Sequence, residues 1–546
     1  MATVTTRPAV LDEAHVGDIR GALGTVRADD LRVRSTLSAR LKTLLAIVGP
    51  GLIVMIGDND AGAFSTYGQA GQNYGTRLLW TLLLLIPVLY VNQEMVLRLG
   101  AVTGVGHARL ILQRFGKFWG AFSVIDLFIL NALTIITEFI GITLAASYLG
   151  LPKVAAVGGA AVVIVASAFT GSFRRFERIA ITFCAGSLLL IPLYLMTHPH
   201  LGQMTRGFLV PGLPGGSGQM ATVMLLIIGI VGTTVAPWQL FFQQSYVIDK
   251  RITPRFMRYE KADLWIGIVI VVVGAAALMG ATAAAFAGTK GAGNFTDSAG
   301  LAQGIAAYAG HVAGVIFAVA LLDAAVIGAF AVSLSSAYAI GDVLGLKHSL
   351  HRGVGQAKGF YAVYAALICG AAAIVLIPGS PLGLITEGVQ VLAGVLLPSA
   401  TVFLLLLCND RDVLGPWVNG RKTNMFTSAV IAVLITLSVV LTASVLFPAI
   451  TARQIITLVV GCAAISVLAG IWMLARRRRL AAAATDLDAV IMMDIDRAAW
   501  RMPPLSELGA PVLSRGRKLG LAALRGYLLV AMIMVIIKII EVALVH

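Results

Sequence analysis

The chain has 546 residues, 58% of them hydrophobic and only 12% charged, with a mean hydropathy of +0.90. A soluble globular domain carries about 25% charged residues, so the composition excludes one; apolar runs of about 20 residues recur, each long enough to cross a bilayer as a helix, and the chain reads as an all-α polytopic membrane protein. The net charge of +15 would suggest nucleic acid in a soluble protein, but here the basic residues fall in alternate loops, which is a membrane-topology signal, and no nucleic-acid partner is expected.

Residues 1–43 are polar, with Asp12, Glu13, Asp18, Asp29 and Asp30 among arginines. They read as a cytoplasmic tail, partly disordered, without the pattern of a cleavable signal. Thirteen spans are predicted near 45–70, 77–99, 119–149, 154–170, 178–197, 221–247, 262–287, 310–343, 359–378, 383–407, 425–448, 454–475 and 520–544. The loops after even-numbered spans carry the basic groups: Arg109, Arg114 and Lys117, then Arg174, Arg175 and Arg178, then Lys250, Arg251, Arg255, Arg258 and Lys261. Lys347, Arg352 and Lys358, then Arg411, Arg421 and Lys422, and finally Arg476 to Arg479 continue the series. This bias puts the N-terminus in the cytoplasm, in the plasma (cell inner) membrane. Cys184, Cys369, Cys408 and Cys462 are isolated in or beside apolar runs and read as small buried hydrophobes, not as a zinc or disulfide framework.

Two spans are interrupted. In the first, Gly57-Asp58-Asn59-Asp60-Ala61-Gly62 puts carboxylates and glycine where a membrane helix should be driest. Ionisable groups at bilayer depth are costly and mark function by default. In the sixth, Pro237 follows the apolar run Ile227 to Val235. Proline cannot donate a backbone hydrogen bond, so carbonyls around Gly232 to Ala236 are freed for other partners. Breaks five spans apart fit two inverted five-helix repeats, an arrangement that resembles the LeuT-like fold, with the substrate site where the breaks meet. The expected organisation is tail 1–43, first repeat 44–200, second repeat 201–410, accessory spans 411–479, cytoplasmic linker 480–517 and a candidate thirteenth span in 518–546. Asp60 with freed carbonyls makes a hard oxygen site suited to a small cation.

At these residues the chain resembles the Nramp family of divalent-metal transporters, along roughly 45–415. Gly49-Pro50-Gly51, Asp60-Ala61-Gly62-Ala63, Gln69-Ala70-Gly71, Tyr74-Gly75, Leu78-Leu79-Trp80, Arg98-Leu99-Gly100, Val102-Thr103-Gly104, Glu138-Phe139-Ile140-Gly141, Ala236-Pro237-Trp238, Leu397-Pro398 and Asp410-Arg411 follow the family's motifs in order. The resemblance implies a metal site at Asp60, Ala63, the Thr233 carbonyl, Ala236 and Gln390. Four departures stand out. Ala63 replaces a metal-binding asparagine, Ala236 a metal-binding methionine, and Trp238 a histidine tied to proton movement; Ile135 stands where the family usually has an aspartate. A thioether favours transition metals, so its loss removes that discrimination. Mg²⁺ keeps most of its waters and needs few protein ligands, so an enlarged, oxygen-only pocket suits it. The chain thus resembles the Nramp-related magnesium transporters, and its expected cargo is Mg²⁺, with Mn²⁺ also accepted and no cofactor.

Only histidine ordinarily titrates near neutral pH. His15, His107, His198, His200, His311, His348, His351 and His546 all fall in tails, loops or span ends, so the expected transport is uncoupled from protons. A divalent ion then gains about 4.6 kcal/mol per 100 mV of membrane potential. Asp58, Asn59, Glu138, Trp238 and Gln239 are candidates for the surroundings of the site or its pathway. Trp238 is expected to pack rather than to bind the ion; Glu138 either serves a cation pathway or pairs with a base such as Arg178. Glu94 and Arg98 have ion-pair spacing, Glu387 suits a helix end, and Gln243 and Gln244 suit an aqueous path. The competing functions are a proton-coupled Mn²⁺/Fe²⁺ symporter and a sodium-coupled amino-acid transporter. No enzyme motif is present: there is no Ser/His or Cys/His pairing, no His-Glu-x-x-His and no phosphate-binding loop. Beyond the lipid bilayer and divalent ions, no protein partner is inferable.

Overall fold

A computed structural model describes residues 13–30, 32–214, 220–378, 382–446, 451–481, 497–498 and 500–509, with scattered positions from 520 to 533. Among them, ten helices are long and apolar enough to cross a membrane. These are span 2 (Trp80–Thr103), span 3 (Lys117–Tyr148), span 5 (Phe173–Thr197), span 6 (Thr222–Asp249), span 7 (Pro254–Phe286), span 8 (His311–Leu344), span 9 (Lys358–Val375), span 10 (Ile385–Cys408), span 11 (Arg421–Val440) and span 12 (Arg453–Ile471). Lys153–Ala168 is a shorter apolar helix in the place of span 4. Span 1 is two short helices, Pro50–Ile56 and Ala61–Tyr74. The chain is a multi-pass membrane protein; the expected thirteenth span lies almost wholly outside the described residues, and so does most of the 480–517 linker.

The packing repeats with an offset of five spans. Span 1 packs on span 7 as span 6 packs on span 2; span 3 meets span 9 as span 8 meets span 4. Span 10 touches span 6 as span 5 touches span 1, and spans 3 and 8 pair with each other. That pattern is what two equivalent halves of opposite orientation produce.

The start of span 1 is held by long-range polar contacts. Asp263 of span 7 accepts the backbone N–H groups of Gly49 (3.2 Å), Gly51 (2.7 Å) and Leu52 (3.3 Å). A carboxylate here satisfies donors that a helix N-terminus leaves orphaned. Lys250, at the end of span 6, donates to the Ile47 and Val48 carbonyls (2.6 and 2.8 Å) and to Glu177 Oε1 of span 5 (2.6 Å). The sequence counts Lys250 among solvated loop charges; the structure buries it completely, because three oxygens replace its water.

The N-terminal tail also departs from expectation. Residues 19–26 form a two-stranded antiparallel hairpin, β1 (Ile19–Arg20) with β2 (Thr25–Val26). It is docked through Ala22, whose N–H donates to Glu177 (2.6 Å) and whose carbonyl accepts from Arg178 (3.1 Å). Helix Leu37–Ile47 follows and meets Pro50–Ile56 at 54°.

Candidate functional site

Span 1 breaks at Gly57–Asp60. Asp60 has extended backbone and caps the second half of the span, its Oδ1 accepting the Ala63 N–H at 2.8 Å. The carboxylate therefore stands at the positive end of a half-helix. Span 6 breaks at Val235 and Ala236, between helices Met220–Thr234 and Pro237–Asp249. The helical partner of the Thr233 carbonyl would be residue 237, and proline has no N–H to give. That carbonyl lies at the negative end of the first half-helix.

Two cross-links bracket the gap between the breaks. Gln239, just past the second break, donates its side-chain amide to Asp58. Tyr67, past the first break, bonds Thr234 just before the second, hydroxyl to hydroxyl at 2.7 Å. The two breaks are thus held next to each other. Asp60, Ala63, Thr233, Ala236 and Gln390 are all buried, Asp60 being only 3% exposed. The sequence expects a wide pocket; in this conformation the region is closed.

Close backbone approach brings in two more elements. A Cβ at Gly328 of span 8 would lie 2.8 Å from the Glu138 carboxyl and 2.9 Å from Asp60 Cβ. Glycine there lets Glu138 of span 3 reach Asp60, and Glu138 Oε2 accepts the Ala61 N–H at 3.1 Å. A Cβ at Gly62 would collide with the Gln390 side-chain amide and lie 3.2 Å from Asp60 Oδ1. The Gln390 backbone lies against Gly232 of span 6, so this residue bridges the two broken spans.

Glu138 does not pair with Arg178, which is committed to Ala22 at a distant helix end. Asn59 turns toward span 7 and donates to the Val271 carbonyl (3.2 Å). Trp238 is buried, its ring edge 3.6 Å from where a Gly57 Cβ would sit and edge-on to Phe242; it packs beneath the first break. Glu94 bridges Arg98 (3.3 Å), as its spacing suggests, and also Lys261 (2.9 Å). Glu387 accepts from the Gln69 side-chain amide. Gln93 donates to Gln239 (3.0 Å), extending the polar chain that ends at Asp58. Among the described residues Thr233 Oγ1, Glu138 Oε1, Asp58 Oδ2 and both polar atoms of Gln243 are buried without a hydrogen-bond partner. Such atoms are rare in folded proteins and concentrate where a ligand or water passes.

The family model for Nramp, natural resistance-associated macrophage protein-like, matches residues 51–444. The chain belongs to the Nramp family. This is a family of transporters, not of enzymes. The divalent metal cation transporter MntH of Ralstonia nicotianae is 28% identical over 410 residues, 72% of this chain and 89% of that protein. The MntH of Latilactobacillus sakei is 27% identical over 422 residues, 72% and 88% of the two chains. The crystal structure of the Eremococcus coleocola manganese transporter shares the fold with a TM-score of 0.60 at 20% identity, over 83% of this chain and 99% of that one. MhsT, solved with L-phenylalanine, has a TM-score of 0.50 at 14% identity, over 71% and 98%. The fold is therefore LeuT-like, with spans 11 and 12 added after the ten of the two repeats.

Proposed function

We propose that this Nramp protein carries divalent metal ions across the membrane by alternating access, with Mg²⁺ the main cargo, Mn²⁺ also accepted, and no coupled proton. Asp60, the Thr233 carbonyl and Gln390 face the ion, with Ala63 and Ala236 as the walls that leave it room for water. Asp58, Asn59, Glu138, Trp238 and Gln239 form the surroundings and pathway. The repeats run from 44 to 200 and from 201 to 410, and the basic loops face the cytoplasm with the N-terminus, in the cell's inner membrane.

Divalent metal as the cargo class is supported by the MntH relatives, which are divalent metal cation transporters. The preference for Mg²⁺ rests on one observation: methyl groups stand at both positions where the resemblance places an asparagine and a methionine. A site of oxygen ligands without a thioether does not favour soft ions, and an ion that retains its waters needs few direct ligands.

A second reading has its own support. Glu138 against Asp60 is a pair of buried carboxyls, and such a pair readily shares a proton, which suits proton-coupled Mn²⁺ symport. Proteoliposomes holding a Mg²⁺ dye and a pH dye separate the two. Mg²⁺ entry driven by membrane potential with flat internal pH, abolished by Asp60→Asn, supports the uncoupled reading. Acidification in step with ion entry establishes the symporter.

A further inference from the structure

We propose that the protein holds an anionic phospholipid in a basic groove beside its N-terminal helix. The groove measures about 1010 Å³ and lies between helix Leu37–Ile47, the start of span 7 and the turn around Trp417. That is at the upper end of the size range of small-molecule pockets, about 300–1,000 Å³. Six arginines line it: Arg32, Arg34, Arg40, Arg255, Arg258 and Arg497. No carboxylate is among the lining groups; the lining Lys261 is already paired with Glu94.

Arg40 donates its Nε to the Arg34 carbonyl at 3.0 Å, and the other five arginines divide into two sets. Arg34 and Arg255 flank the Phe256 ring at 5.3 and 5.7 Å and bond to Asp30, the first through its carboxylate and the second through its carbonyl. These two are fixed in place. Arg32 and Arg258 are exposed, and their guanidinium groups make no hydrogen bond or ion pair among the described residues. Arg497 lies over the Trp417 ring at 4.1 Å, and its guanidinium makes no hydrogen bond or ion pair among the described residues. Two anchored guanidinium groups beside three without a hydrogen-bond or ion-pair partner among the described residues form a cluster of forks that matches a phosphodiester.

The other wall is apolar. Leu37 is 82% exposed and Leu41 54%, and both line the groove with Leu44. A leucine-rich face beside arginines is the composition of a helix lying in a membrane interface. Span 7, whose first turns form the facing wall, continues into outward residues Trp265, Val269 and Val273, all exposed. The groove therefore opens at the end of a lipid-facing surface. A molecule with a phosphate at one end and hydrocarbon at the other fits both walls; a soluble anion uses only the first. Basic pockets between helices at this level are sites for anionic headgroups. The inference does not depend on which ion the protein carries.

The test uses the full chain. Native mass spectrometry after exchange into mixed phosphatidylglycerol and phosphatidylcholine should show phosphatidylglycerol retained preferentially. Each arginine near an anionic headgroup is worth roughly fivefold, so the triple variant R32Q/R258Q/R497Q should lose at least about tenfold of that preference. The control R174Q/R175Q, in another basic loop, should keep it. A photoactivatable phosphatidylglycerol should label Leu37 to Leu44 and the first turns of span 7 in the wild type, a readout that needs no variant. Equal retention of the two lipids, unchanged preference in the triple variant, labelling confined to other helices, or displacement by millimolar inorganic phosphate would each overturn the proposal; the last would assign the groove to a free anion.

Discussion

Gln239 donates its side-chain amide to Asp58, so the second half of one broken helix is tied to the break of the other. Gln93 in turn bonds Gln239, and Asp58 is fully buried. Asp58 is thereby a strut between the two broken spans, while Asp60 caps the second half of span 1. Asp58→Asn keeps an acceptor for Gln239 and should retain both stability and ion uptake. Gln239→Leu strands a buried carboxyl and should lower unfolding free energy by about 1–3 kcal/mol. Thermal melts and uptake on both variants check this; loss of uptake in Asp58→Asn with an unchanged melt would make Asp58 a direct ligand.

Glu138 has a structural task that is separable from any proton. Its Oε2 accepts the Ala61 N–H at the start of a half-helix. Glu138→Gln preserves an acceptor there and removes the titratable group. Under uncoupled transport its Mg²⁺ flux should match the wild type at every internal pH, whereas Glu138→Leu should fail in both stability and flux. A Gln variant that folds normally but transports nothing would favour the symporter.

Lys250 and Glu177 form a completely buried pair that anchors spans 5 and 6 to the start of span 1. Removing one partner of a buried pair costs about 3–5 kcal/mol, because the other charge stays behind. Lys250→Met should therefore be strongly destabilising, and Lys250→Met with Glu177→Gln should recover much of the loss. Equilibrium unfolding of the single and double variants measures the difference; equal losses in both would show that the lysine's contacts to Ile47 and Val48 dominate.

His348, in the loop after span 8, gives a pH signature. Burial works against its charged form, but Asp342, bonded Nε2 to Oδ1 at 3.1 Å, outweighs that and holds its pKa at about 9. An unfolded histidine titrates near 6.5, so the folded state binds the proton more tightly. This contribution is complete below about pH 6.5 and is lost as pH rises through about 9. The melting temperature of the wild type should exceed that of His348→Gln near neutral pH, and the gap should close above about pH 9. A gap that widened with pH would reverse the sign of the effect.

Much of this architecture could be read from the chain because its cues are local. Apolar runs gave twelve described segments their places, and Pro237 and Gly57 to Asp60 marked both breaks within a few residues. Asp60 stood out because its neighbours are apolar. Contacts between distant residues left no such trace. Asp263 capping Gly51, 212 residues away, and Gln239 reaching Asp58, 181 away, depend on how spans lie side by side. Glu177 is hidden among Arg174, Arg175 and Arg178, where a solvated basic loop is the natural reading; only packing shows that it is buried. The hairpin at 19–26 has strands of two residues, too short for any alternation to register.

In the proposed transport a hard divalent ion is accepted because position 236 is alanine where the resemblance places methionine. Competitive binding of Mg²⁺ and Cd²⁺ to the purified wild type and to Ala236→Met tests this most directly. The wild type should bind Mg²⁺ without strong preference for Cd²⁺, and Ala236→Met should shift the preference toward Cd²⁺ by at least about tenfold, the equivalent of about 1.4 kcal/mol. A wild type that already prefers Cd²⁺ strongly, or a methionine variant with unchanged selectivity, would contradict it.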